Sequence, residues 1–132
     1  MTDKYAVLGN PIAHSKSPQI HQAFAKQTNQ DVSYQAILAP LDAFDVTIRR
    51  LIDEGYKGVN VTVPFKLQAF LVSNYISPFA QVARAANTLV LERNNIQGHN
   101  TDGIGFITDV TQNLNTQLQG ARILLLGAGG AG

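Results

Sequence analysis

The chain contains no cysteine. That absence excludes a disulfide framework, thiolate catalysis and any zinc site built on cysteine. Charge is also scarce: 14% of the 132 residues are charged, against 45% hydrophobic. A chain of this make-up can bury a core and does not have the composition of a disordered segment. Net charge is +1 with no basic run, so nothing in it would neutralise a phosphate backbone or hold an anionic membrane surface. Nucleic acid and membrane are therefore not expected as partners. Long apolar runs are missing too. Met1-Thr2-Asp3-Lys4-Tyr5 leads through a short apolar stretch straight to Gly9-Asn10-Pro11, too short for a signal peptide or a membrane span. A soluble, cytoplasmic protein is the expectation. His14, His21 and His99 stand apart from any acidic residues spaced to share a metal, so they read as structural or surface residues and no metal site is expected. There is no internal repeat and no low-complexity segment.

What is present is organised around Asn60-Val61-Thr62-Val63-Pro64-Phe65-Lys66. The stretch begins as a β-branched strand and breaks at a proline, which lacks an N–H and suits the first position of a helix. Leu67, Phe70 and Leu71 then recur at helical spacing, predicting strand, sharp turn, helix. In open α/β sheets ligands sit beyond the carboxyl ends of the strands. Lys66 is placed there, with Asn60 and Thr62 leading up to it. A lone lysine at that point can equally be a solvated helix start.

The remaining pattern alternates strand and helix. Tyr5 to Leu8 is a short strand; Ser17-Pro18 reads as N-cap and first residue of a helix that carries Ile20, Ala23 and Phe24 on one face and closes at Asn29-Gln30-Asp31. Val32, Tyr34, Ala36 and Leu38 alternate as a half-buried strand. Phe44, Ile48, Leu51 and Ile52 form one face of a helix stopped by Gly55. The central strand runs from Gly58 to Thr62 and the Lys66 helix to about Asn74; Ser77-Pro78 starts a short helix through Ala83. Thr88 to Leu91 and Ile96 to His99 read as a hairpin turning at Asn94-Asn95. Asn100-Thr101-Asp102-Gly103 then leads into a helix carrying Ile104, Ile107, Val110 and Leu114, followed by a polar linker and an apolar strand, Ile123 to Leu126. This is an α/β pattern: a mostly parallel mixed sheet with helices on both faces and one hairpin strand running the other way.

Four constellations can carry chemistry. Ser15 and Ser17 flank a helix N-terminus, where free N–H groups and the helix dipole favour an anion. Ser17 also suits a plain N-cap, and the two roles are compatible because a hydroxyl can accept a backbone bond while donating its own proton. Lys66 and Asp102 each follow a strand end on the same edge of the sheet. Reducing a ketone needs a hydride on carbon and a proton on oxygen, and a lysine beside an aspartate can supply and reclaim that proton. Asn-Thr-Asp-Gly is equally a structural turn. Asn87, at a strand entry, can hold a hydroxyl by both donor and acceptor or can satisfy backbone. Gly127, Gly129 and Gly132 fit G-x-G-x-x-G after a strand, a dinucleotide-binding pattern. Its receiving helix and its cofactor-selecting residue are absent, so the sequence predicts a piece of something longer.

Six motifs in order, from Gly9-Asn10-Pro11-Ile12 through Ser15-Lys16-Ser17-Pro18, Asn60 to Lys66, Asn87-Thr88-Leu89 and Asn100-Thr101-Asp102-Gly103 to the glycine loop, resemble the shikimate dehydrogenase family. The resemblance implies NADP-dependent reversible reduction of 3-dehydroshikimate to shikimate, on the way to chorismate and the aromatic amino acids. It implies Lys66 and Asp102 as the catalytic pair. Ser15 and Ser17 would bind the substrate carboxylate, and Thr62, Asn87 and the catalytic pair its ring hydroxyls. It implies a substrate domain over 1–103, a connecting helix and linker over 104–120, and from 121 to 132 the start of a Rossmann domain. Gly127, Ala128, Gly129, Gly130, Ala131 and Gly132 would meet the cofactor. The small-molecule substrate is the expected partner, and a homodimer of the longer protein is compatible with the resemblance. The 132-residue chain alone is expected to be inactive. One position departs from the family: where a glycine is usual, this chain has Arg84. In a left-handed conformation an arginine would cost roughly 1–2 kcal/mol there. Two other readings stand beside this one: a quinate/shikimate dehydrogenase, and a non-catalytic carboxylate-binding domain ending near Gly132. Against the second, Ile123 to Leu126 would be an apolar strand with no sheet to join.

Overall fold

The computed structural model describes residues 1–130. Ala131 and Gly132, which the glycine pattern singles out, lie outside the described residues. The elements are β1 (Asp3–Gly9), α1 (Ser17–Gln27), β2 (Val32–Leu38), α2 (Phe44–Asp53), β3 (Tyr56–Val61), α3 (Lys66–Val72), β4 (Tyr75–Ile76), α4 (Pro78–Ala83), β5 (Thr88–Glu92), β6 (Asn95–His99) and α5 (Asp102–Thr108), the last extended by a π-helical turn at Asp109–Asn113. The strands form one sheet in the order β2-β1-β3-β5-β6-β4. β1 pairs parallel with β2 and β3, and β4 parallel with β6, while β5 is antiparallel to both of its neighbours. Five strands therefore point one way and β5 the other, as the pattern of the sequence predicts.

Alternation along the strands decides which face each helix covers. On β1, Ala6 and Leu8 point to one face, with Val59 and Val61 of β3 and Leu89 and Leu91 of β5. Phe44, Ile48 and Leu51 of α2 and Ala69 of α3 cover that face, and Phe65 beside them is fully buried with its ring stacked on Phe44. Val7 points the other way, joining Ile12 and Tyr34 in a smaller cluster. There α1 lies over β1 and β2, with His21 stacked on the Tyr34 ring at 4.2 Å. Helices thus cover both faces. Gly9, at the end of β1, is a position of close approach: a Cβ there would lie 2.7 Å from Thr62 Cγ2 and 2.8 Å from Ile12 Cδ1. Only a hydrogen fits between the first strand and the Thr62 turn.

Several local features differ from the sequence expectation. Pro64 is not the first residue of the helix; it sits in a turn closed by Phe65 N–H donating to Thr62 O, and α3 begins at Lys66. Ser17 opens α1 but makes no capping bond; instead its N–H donates to Ser15 Oγ at 3.3 Å. Ser77 does cap α4, accepting from Ala80 N–H. The hairpin turns one residue earlier than expected, at Arg93-Asn94, because Glu92 pairs with Asn95. β4, two residues long, carries too little pattern to be read from sequence. Ile123 to Leu126 is not a strand: it has no ladder partner among the described residues, and a strand satisfies its N–H and C=O groups only through a neighbour.

Arg84 ends α4 at φ 50°, ψ 35°, the left-handed conformation that penalises a Cβ. Arg84→Gly removes that penalty and restores some unfolded-chain entropy, so a net gain of about 1 kcal/mol is expected. A urea unfolding curve checks it; a lower midpoint for the glycine variant would contradict it.

Candidate active site

The functional side chains gather where the carboxyl ends of β1, β3 and β6 meet the start of β5. Because β5 runs against its neighbours, its first residues stand at the same edge as the last residues of β3 and β6. Lys66 is the first residue of α3, and Ala86 N–H donates to its carbonyl, fixing the helix start against the entry to β5. Asp102 is the first residue of α5, held by its own N–H donating to Asn100 Oδ1, while Asn100 Nδ2 donates to Ala85 O.

Lys66 Nζ and Asp102 Oδ2 lie 2.6 Å apart. The lysine side chain is 13% exposed and the carboxylate 43%, so the pair faces outward from a largely covered ammonium stem. Asn87 grips the other carboxylate oxygen: its Nδ2 donates to Asp102 Oδ1 at 3.0 Å and to Thr101 Oγ1 at 2.8 Å. Its Oδ1 accepts from Thr101 N–H at 2.9 Å and from the Thr88 hydroxyl at 3.1 Å. Both donors and both lone pairs of that amide are thereby engaged. Thr62 follows β3 directly, half-buried, its N–H bonded to Leu8 O. Its hydroxyl has no protein partner among the described side-chain hydrogen bonds and is free for a ligand.

Ser15 and Ser17 stand beyond β1 at the start of α1, which is eleven residues long. Ser15 Oγ uses a lone pair on Ser17 N–H and keeps its proton for an outside acceptor. Behind Ser17 is Tyr34, whose hydroxyl donates to Asn60 Oδ1 at 2.7 Å. Burial pushes the Tyr34 phenol up to about 12, against the pull of the Ser17 hydroxyl beside it, so it stays protonated and donating near neutrality. Burial likewise lowers His21 from its ordinary value, favouring the neutral form of the stacked ring. Tyr34, Thr88, Asn100 and Thr101 belong to this constellation and are not singled out by the sequence reading. Alternation along β2 marks Tyr34 as inward-pointing, but its partner lies two strands away across β1.

The described end of the glycine stretch comes back to this edge. A Cβ on Gly130 would lie 3.3 Å from Lys66 Cβ, and Gly127 holds φ +102°, a turn that suits glycine alone. Gly129 meets nothing within 4 Å. The described residues therefore supply a glycine turn but neither the flanking strand nor the helix N-terminus that a phosphate-binding loop has. Among them no group of histidine and acidic residues is placed to hold a metal ion, and no helix is long and apolar enough to cross a membrane.

A large concavity, about 1410 Å³, lies elsewhere, on the α1 face of the sheet between His21, Phe24, Tyr34, Asn60 and Val90. It is a stretch of sheet face that α1 does not reach, and it meets the polar constellation only from behind, at Tyr34, Asn60 and Thr88. Convergent polar and charged groups, rather than volume, assign the site to the Lys66 edge.

The fold and site define an α/β domain with a lysine–carboxylate pair at the strand ends and two serines at a helix start beside it. Residues 7–89 match the family model for the shikimate dehydrogenase substrate binding domain. Over 131 residues the chain is 52% identical to the shikimate dehydrogenase (NADP(+)) of Laribacter hongkongensis, covering 99% of this chain and 48% of that protein. It is 55% identical to the protein of the same name from Nitrosospira multiformis. Among solved structures, an Ael1 enzyme from Pseudomonas putida superposes with a TM-score of 0.91 at 49% identity, covering 98% of this chain and 48% of that one. The shikimate 5-dehydrogenase of Thermus thermophilus in complex with shikimate gives a TM-score of 0.89 at 35% identity. The chain belongs to the shikimate dehydrogenase substrate-binding domain family. It spans about half the length of the curated relatives it matches.

Proposed function

We propose that this chain is the substrate-binding part of an NADP-dependent shikimate dehydrogenase, an oxidoreductase that interconverts 3-dehydroshikimate and shikimate in the cytoplasm. The observation that carries the reading is the Lys66–Asp102 pair, 2.6 Å apart at the strand ends and braced by Asn87. The proposed boundaries are a substrate domain over 1–103, a connecting segment over 104–120 and the start of a dinucleotide-binding domain from 121.

Ser15, Ser17 and the N–H groups that open α1 receive the carboxylate of the substrate. Thr62 and Asn87 take ring hydroxyls, Asn87 by exchanging one of its present partners. A bound reduced nicotinamide supplies the hydride that the ketone carbon needs. At the ketone oxygen the Lys66–Asp102 pair supplies the proton, completing C=O plus hydride plus proton to CH–OH, and takes it back in the reverse direction. The geometry suits both directions. Lys66 Nζ carries three donors and spends one on Asp102, leaving two for the substrate oxygen, while each Asp102 oxygen keeps a lone pair for a substrate hydroxyl.

The test is NADPH oxidation by the full-length protein with 3-dehydroshikimate, alongside NADP reduction with shikimate and with quinate. Turnover of shikimate well above quinate is expected. Equal turnover of the two would favour the quinate/shikimate reading, and no turnover of either would overturn the enzymatic one.

A further inference from the structure

A line of hydrogen bonds runs behind the site. From Tyr34 it passes to Asn60, from Asn60 Nδ2 to Thr88 Oγ1 at 3.1 Å, from Thr88 to Asn87, and from Asn87 to Asp102 and so to Lys66. Two backbone groups fix its direction. Asn60 Nδ2 also reaches the Asn87 carbonyl at 3.4 Å; a carbonyl can only accept, so the nitrogen of that amide must face Thr88. At the other end Thr101 N–H can only donate, so the oxygen of the Asn87 amide must face it and Thr88. Between two amides oriented in this way, the bridging group has to accept from one and donate to the other. A hydroxyl does both. Register places it there, since Thr88 stands opposite Asn60 on β3 and His99 on β6.

We infer that Thr88 is a positioning residue of the reaction: its hydroxyl locks the Asn87 amide so that Nδ2 holds Asp102 Oδ1 and the carboxylate stays aligned on Lys66. The inference rests on the reading of Lys66 and Asp102 proposed above. Asp102 sits at the exposed start of α5, and among the described residues its carboxylate is gripped from two sides only, by Lys66 on one oxygen and Asn87 on the other. Removing the Thr88 hydroxyl leaves Asn60 Nδ2 with only the longer 3.4 Å bond to the Asn87 carbonyl and Asn87 Oδ1 with a single donor, Thr101 N–H. The amide is then held by Thr101 and Asp102 alone, with nothing behind it from β5, and its grip on the carboxylate loosens. The substrate touches neither Thr88 nor Asn60 in this account, so binding should change little while alignment for proton transfer suffers.

The experiment compares Thr88→Val, which keeps the shape, Thr88→Ala and Thr88→Ser, which keeps the hydroxyl, in the full-length protein, with Lys66→Ala as control. Thr88→Val and Thr88→Ala are expected to lower kcat with 3-dehydroshikimate and NADPH roughly tenfold, with KM within about twofold of the parent. Thr88→Ser is expected to restore kcat to within about threefold, as one retained hydroxyl requires. An unchanged kcat in Thr88→Val, or no recovery in Thr88→Ser, overturns the inference. So does loss of the folded state in both hydroxyl-free variants while Thr88→Ser folds, which would make Thr88 purely structural. If Lys66→Ala itself retains full activity, it is the reading of the site that fails, and the two failures are distinguishable.

Discussion

Lys66→Ala in the full-length protein is expected to lower kcat by roughly 10²–10⁴-fold, the range that a positioned general acid–base supplies. KM for 3-dehydroshikimate should change far less, because the proposed grip on the substrate carboxylate, by Ser15, Ser17 and the start of α1, lies at the other end of the site. Asp102→Ala should fall in the same range, since it removes the group that holds Nζ at 2.6 Å and accepts the reacting hydroxyl. Residues that act as a unit do not contribute independently, so the double variant should be little worse than the worse single one. Steady-state kinetics in both directions check this. An unchanged kcat for either single variant removes that residue from the mechanism.

Phe65→Ala is expected to cost about 3–5 kcal/mol of stability, the usual loss for a fully buried aromatic truncated to a methyl. Phe65 is wholly buried, and its ring centroid lies 5.0 Å from that of Phe44 at 20° between planes. The same residue links packing to chemistry. Its N–H closes the Thr62 turn and its carbonyl accepts from Ala69 N–H, so the ring pins the backbone from which Thr62 and Lys66 project. Phe65→Leu, which retains most of the apolar contact, should cost much less. Urea unfolding of the variants checks the order. A loss below about 1 kcal/mol for Phe65→Ala would mean the ring is not the anchor of that turn.

The sheet and its helices are legible because their signals are local and periodic. Alternation marks β2, the Phe44–Ile48–Leu51 stripe marks α2, and Gly55 at φ 83° ends it as a glycine in the left-handed region should. The antiparallel β5 follows from a hairpin turn, and the conflict at Arg84 follows from a residue type standing where a left-handed helix end needs none of its side chain. Errors fall where one local signal admits two readings, or where the deciding partner is missing from the neighbourhood the pattern implies. Ser17 reads as an N-cap, yet the hydroxyl that takes a backbone proton is that of Ser15. Ile123 to Leu126 reads as a strand because it is apolar and β-prone, but strand structure needs a neighbour, and none is present among the described residues.

The candidate site divides along the same line. Lys66, Asn87 and Asp102 stand at element boundaries where a ligand contact and a plain structural role read alike, and it is the resemblance to the family that singles them out. What the sequence does not carry is that one amide occupies all four of its hydrogen-bonding positions to hold Asp102, or that a buried tyrosine 26 residues before Asn60 begins the chain of bonds behind it. Those facts depend on the β2-β1-β3-β5-β6 order, which sets which side chains share a face, and no local pattern encodes that order.

The most direct test of the site assignment is a shikimate titration of the isotopically labelled full-length protein, followed residue by residue through backbone amide resonances. The Lys66 edge and the concavity on the α1 face give opposite outcomes. The account predicts that the saturating shifts fall on Ser15, Ser17, Thr62, Lys66, Asn87 and Asp102, at the carboxyl ends of β1, β3 and β6. Shifts confined to Tyr5, Phe24, Val90 and Arg93 on the α1 face of the sheet, with Lys66 and Asp102 unmoved, would contradict it.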